Sequence, residues 1–117
     1  MNNIALVIYS KLEGSRHSVI YRAPMFAQEL RDAGDDMTLL FDGAGSVAAA
    51  DLAQPAHGMH ALYWNVKALV RGVCRYCAES YGALDTVEAS GLPLVGDDRG
   101  HASLRQLLME GRQIVTF

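Results

Sequence analysis

The chain has 117 residues, half of them apolar and 20% charged, with ten Lys or Arg against thirteen Asp or Glu. That length holds one packed domain and not comfortably two, and the apolar share argues against intrinsic disorder. The formal net charge of −3 argues against a nucleic-acid binder working by bulk charge, because neutralising phosphates needs a basic face.

The longest apolar run, Ile4 to Tyr9, has six residues, whereas a membrane-spanning helix needs about 20. Met1-Asn2-Asn3 carries no positive side chain, and the apolar run falls short of the roughly 7–15 residues of a signal-peptide core. A cytoplasmic location without a membrane partner is therefore expected. The run is apolar on both faces, the pattern of a strand buried in a parallel sheet. Ser10 to Ser18 is polar and reads as a loop.

Val19, Ile20, Ala23, Phe26, Ala27, Leu30 and Ala33 then recur at helical spacing, with Gly34 as the stop. Pro24 leaves two alternatives: a helix opening around Tyr21, or one that begins earlier and kinks. Asp36 to Phe41 reads as a second buried strand. It runs into Asp42-Gly43-Ala44-Gly45, and Ser46 is expected to cap a short Ala-rich helix ending near Ala53.

Met59 to about Leu69 reads as a helix carrying Trp64, and Val70 to Cys74 as a short strand interrupted by Arg71 and Gly72. Arg75 to Tyr81 turns helical and Gly82 stops it. Leu84 to Ala89 reads as helix, Leu92 to Val95 as an extended piece, Ser103 to Leu108 as a last helix ended by Gly111, and Gln113 to Phe117 as a terminal strand. Strands alternating with helices predict an α/β domain with a mostly parallel sheet of about five strands. Ligands bind beyond the carboxyl ends of such strands, where Asp42, Cys74 and the loop after Tyr9 would gather.

Cys74-Arg75-Tyr76-Cys77 is the sharpest chemical feature. In a reducing compartment such a pair points to metal binding or redox chemistry rather than a structural disulfide. Cys74 falls at a strand end just before a helix, where unpaired N–H groups favour a thiolate, and Arg71 and Arg75 stand near in sequence. A thiolate there suits sulfur transfer, thiol exchange or peroxide reduction. The plain alternative is two small buried side chains, Cys77 being the more interior.

His57-x-x-His60 with the two cysteines offers four zinc ligands, but the order is inverted relative to ordinary fingers and an α/β core folds without metal, so no structural metal and no cofactor are expected. Asp42-Gly43-Ala44-Gly45-Ser46 lacks the spacing of a nucleotide loop and reads as a tight turn. His101 stands before the last helix, as a site residue or a solvated or capping one. Tyr63, Trp64, Tyr76 and Tyr81 read as core or as an interface between subunits, with Tyr63 and Trp64 the basis for expecting an oligomer.

Over essentially its full length the chain resembles the DsrE/DsrF-like family of small sulfur-relay proteins. The resemblance rests on the order of Ile4–Ser10, Phe41-Asp42-Gly43-Ala44-Gly45, Gly72-Val73-Cys74-Arg75-Tyr76-Cys77-Ala78 and Tyr81-Gly82-Ala83 along one short chain. The tail, Gly100-His101-Ala102-Ser103-Leu104 and Glu110 to Phe117, looks like that of a stand-alone subgroup.

The resemblance implies a three-layer α/β/α sandwich, homotrimers or homohexamers, and donor and acceptor proteins for sulfur. It also implies a persulfide-carrying cysteine, which by motif position is Cys74. Cys77 falls where many members have a small residue, and Asp42, Arg75 and His101 are the candidate supporting residues. The rival expectation is a binding or interaction module without turnover, in which the rim holds a small ligand and the cysteines only pack.

Overall fold

A computed structural model describes residues 1–117. The strands are β1 (Asn3–Ile8), β2 (Asp36–Phe41), β3 (Val70–Cys74), β4 (Leu94–Val95) and β5 (Gln113–Thr116). The helices are α1 (Arg16–Asp32), α2 (Gly45–Leu52), α3 (His60–Trp64), α4 (Arg75–Ser80), α5 (Leu84–Ser90) and α6 (Leu104–Met109). All strand pairs are parallel, in the order β4-β3-β2-β1-β5. The expected α/β class and five-stranded central sheet are thus what the chain forms.

That strand order decides where the helices go. From β1 to β4 the chain steps across the sheet in one direction, and right-handed crossovers in one direction return every connecting helix to the same face. Helices α1 to α5 accordingly bury Ile20, Ala23, Ala27, Leu30, Ala48, Leu52, Tyr63, Ala78 and Val87 against Ile4, Leu6, Ile8, Leu39, Phe41 and Val73. The step from β4 back past β1 to β5 runs the other way, so α6 crosses the opposite face. There Leu107 and Ala102 cover Ala5, Val7, Leu40 and Cys74. The sandwich has three layers, but one outer layer holds five helices and the other a single short one.

Several boundaries differ from the sequence expectation for identifiable reasons. The helix expected over Met59–Leu69 breaks after Trp64, because Val66 leaves helical geometry (φ −114°) and drops fully into the core, and Lys67–Leu69 continues as a 3-10 turn. The Ser46 side chain does not cap α2: its hydroxyl donates back to the Gly43 carbonyl (2.9 Å), and Ala44 occupies the cap position. A side chain at Gly45 would stand 1.8 Å from the Ile8 carbonyl oxygen, so this turn needs glycine for close approach to β1, while Gly43 supplies the positive φ of 54°.

Helix α1 takes the earlier start and keeps Pro24 inside. Pro24 has no N–H to give the Ile20 carbonyl one turn back. The buried Tyr63 hydroxyl donates to that carbonyl instead, at 2.7 Å. Removing the hydroxyl with Tyr63→Phe leaves a buried carbonyl without a partner and should destabilise the chain by about 1–3 kcal/mol in urea unfolding. Pro24→Ala restores an N–H and should recover part of that loss in the double variant; equal losses with and without Pro24 would contradict this pairing.

The amino-terminal rim of the sheet is tied by charge. Arg112 Nη1 reaches Asn3 Oδ1 (2.8 Å) and Asp36 Oδ1 (3.1 Å), its Nε reaches Glu110 (2.9 Å), and Arg71 Nη2 meets both Glu110 oxygens at 2.5 and 2.6 Å. The Arg112 hydrogen bond, then that of Arg71, holds the Glu110 carboxyl down at about 2 against an ordinary 4.5. A depressed carboxyl stabilises the fold fully above its unfolded value, and the contribution fades as pH falls toward the folded one. Urea midpoints should therefore drop as pH falls from 4.5 toward about 2, and Glu110→Gln should flatten that part of the curve. An identical slope in the variant would remove Glu110 from the account.

Candidate functional site

Three carboxyl-terminal strand ends meet at one rim. Strand β2 runs into Asp42, β3 ends on Cys74, and β4 leads into the segment carrying His101. Cys74 is fully buried on the thinly covered face of the sheet, and Cys77, one turn into α4, is half-buried; both are free thiols. This reverses the expected order of burial. Cys74 is a strand residue roofed by Ala102 and Leu107, whereas on α4 it is Ala78 that enters the main core.

His101 is held over Cys74 by local geometry. Asp98 and His101 exchange two backbone hydrogen bonds (2.8 Å each) across the turn Arg99-Gly100. Both turn residues have positive φ, 53° and 89°, as a two-residue type I′ turn requires. The Tyr76 N–H donates to the Gly100 carbonyl (3.0 Å), and the Tyr76 ring stacks on the imidazole with centroids 4.1 Å apart. His101 Nδ1 consequently sits 3.8 Å from Cys74 Sγ. His101 is not a cap; Ser103 Oγ caps α6 by accepting from the Gln106 N–H (3.1 Å).

Asp42 completes the cluster from the other side. Its Oδ1 accepts from the Gly43 N–H (2.9 Å) and from the Cys77 thiol (3.5 Å). Burial first, then the neighbouring Cys74 thiol, pushes the Cys77 thiol up to about 12. Tyr9, at the end of β1, belongs to the same rim: burial and the Asp42 carboxylate raise its phenol. The only sequence signal for Tyr9 was its place at a strand end. A groove beside the cluster is lined by Asp42, Asp97, Asp98, His101, Ser103 and Arg105.

Other candidates lie elsewhere. Arg75 is half-exposed with its guanidinium 4.0 Å from Glu88 of α5, and Arg71 serves the opposite rim through Glu110. His57 Nδ1 accepts from the Met59 N–H (3.0 Å) and His60 Nδ1 donates to the Leu52 carbonyl (2.7 Å), so neither joins the cysteines. Tyr63 is core, and Trp64 packs between His60 and the Lys67 ammonium. Neither ring is an exposed interface residue; Tyr76 and Tyr81 are the exposed aromatics of that group.

No family model matches the chain. It is similar to the uncharacterized protein MJ0733 of Methanocaldococcus jannaschii, 27% identical over 114 residues, covering 96% of this chain and 93% of that one. The fold is shared with a conserved protein of unknown function, BT1422, from Bacteroides thetaiotaomicron. That match has a TM-score of 0.62 at 15% identity and covers 97% of this chain and 94% of the other. No helix is long and apolar enough to cross a membrane.

Chemically the arrangement is unequal. Thiol reagents consume the thiolate, so a thiol held near 12 reacts slowly however open its surroundings. In the folded Cys74→Ser protein, where burial still holds the thiol up, Cys77 should alkylate at pH 8 at least about tenfold more slowly than a free cysteine. The rate should climb with pH and reach the free value in denaturant. Labelling at the free rate in the folded state would contradict the high value.

Proposed function

We propose that the chain is a sulfur carrier of the DsrE/DsrF-like kind, taking sulfane sulfur on Cys74. The observation that supports it is the cluster itself: the Cys74 sulfur lies 3.8 Å from an imidazole nitrogen, beside a second thiol that stays protonated. The Cys74 thiolate attacks the terminal sulfur of a donor persulfide, and the donor leaves as its thiolate. The new Cys74 persulfide can pass its outer sulfur to an acceptor thiolate.

Because Cys74 is fully buried beneath Ala102 and Leu107, the donor gains access by displacing the Asp97–Ala102 segment, which is held by a two-residue turn, the Tyr76 N–H and ring, and the Ser103 N–H on Asp97. Exposed Tyr76, Tyr81, Leu104, Leu108 and Met109 suit a homotrimer or homohexamer and protein donors and acceptors. The second reading, a binding module without turnover, draws on the same burial of Cys74 and on the polar groove beside it.

Intact mass after incubation with a sulfane-sulfur donor separates the two. The relay requires one added sulfur per chain, lost in Cys74→Ser and kept in Cys77→Ser. A wild-type chain that gains no sulfur would leave the binding module; sulfur retained without Cys74 would mean the wrong nucleophile.

A further inference from the structure

The same rim has the geometry of a metal site, for which the sulfur reading has no use. Cys74 Sγ, Cys77 Sγ and a ring nitrogen of His101 all lie within 4.8 Å of one another. A tetrahedral zinc ion, with Zn–S of about 2.3 Å and Zn–N of about 2.0 Å, sets ligand-to-ligand distances of about 3.5–3.8 Å. The Cys74–His101 separation is already 3.8 Å. The cysteines come from one strand–helix junction, and His101 comes from a segment 24 residues further along that folds back over it.

We propose that Cys74, Cys77 and His101 together bind one thiophilic divalent cation, zinc(II) being the ion that the ligand set fits. Two thiolates and one imidazole are soft-to-borderline donors that select zinc over magnesium or calcium. Three protein ligands leave a fourth position open, and the groove lined by Asp42 and His101 lies beside the cluster. Asp42 lies 3.5 Å from the Cys77 sulfur and accepts the thiol proton that leaves for solvent when Cys77 binds the ion. The His101 ring is held in place by the Tyr76 stack.

Binding moves no electrons. Two thiols lose their protons to solvent, two sulfur–zinc bonds form, and neutral His101 gives a lone pair. Affinity therefore falls steeply as pH drops. The main core contains none of the three ligands, so the fold should form without the ion. Bound zinc also occupies the Cys74 lone pair, so zinc and sulfur compete for the chain.

The test is titration of the reduced full-length chain with zinc(II) alone, followed by calorimetry and by competition with a chromogenic chelator. Cobalt(II) serves as a spectroscopic substitute. One ion per chain is expected, with proton release and a thiolate-to-cobalt charge-transfer band. Cys74→Ser and Cys77→Ser should each abolish the band, and His101→Ala should weaken zinc at least about tenfold.

His57→Asn and His60→Asn should change nothing. Circular dichroism of each variant, and of the wild type with chelator, should match the untreated chain. Binding weaker than about 0.1 mM, or an ion retained by His101→Ala with unchanged affinity, would overturn the proposal. Zinc uptake by a chain that takes no sulfur would support the metal site and remove the relay.

Discussion

The handedness of strand–helix–strand crossovers governs this molecule. Four strands laid down in one direction commit five helices to one face of the sheet, and only the final connection, β4 through α6 to β5, returns across the other. One face is closed by a continuous core that runs from Ile4 to Leu92. The other carries a small cluster around Val7, Leu40 and Leu107. Cys74 belongs to that thin layer. The returning connection that roofs it with Ala102 and Leu107 also carries His101, so the same constraint that makes the sandwich lopsided assembles the site.

The two rims of the sheet are built differently. At the amino-terminal rim Arg112 and Arg71 converge on Glu110, tying α6 to the starts of β1, β2 and β3. The carboxyl-terminal rim has no such ion network. It holds two thiols, an imidazole, a carboxylate and a phenol, positioned by backbone turns and one ring stack. A fold anchored at one end can let a short segment at the other move without loosening the sheet. The burial of Cys74 beneath that segment makes access the controlling step for any chemistry at its sulfur.

Much of this was legible in the sequence, and the parts that were not share a cause. Ile4 to Tyr9 and Asp36 to Phe41 announce buried parallel strands because both of their faces are apolar. Cys74 and Asp42 could be assigned to one rim because parallel strands end together. Arg71 and Arg75 stay away from the thiols because adjacency in sequence is not adjacency in space: a strand residue three positions from Cys74 places its charge at another level of the sheet, and a helix residue next to it turns outward to Glu88. Pairings such as Tyr63 with Ile20, or His101 with Cys74, link residues 43 and 27 positions apart and leave no local pattern. The order of burial of the cysteines has the same cause: a strand end that is open in the local pattern is roofed by the returning connection.

The central claim is that Cys74 and His101 form one site, and histidine-selective nuclear magnetic resonance tests it most directly. In the Cys77→Ser protein, Cys74 is converted to its methyl disulfide with a small methanethiosulfonate, and the ring signals of the four histidines are followed. The account predicts that the His101 signals move while those of His17, His57 and His60 stay in place. Unmoved His101 signals, or a Cys74 that never reacts in the folded chain, would contradict it.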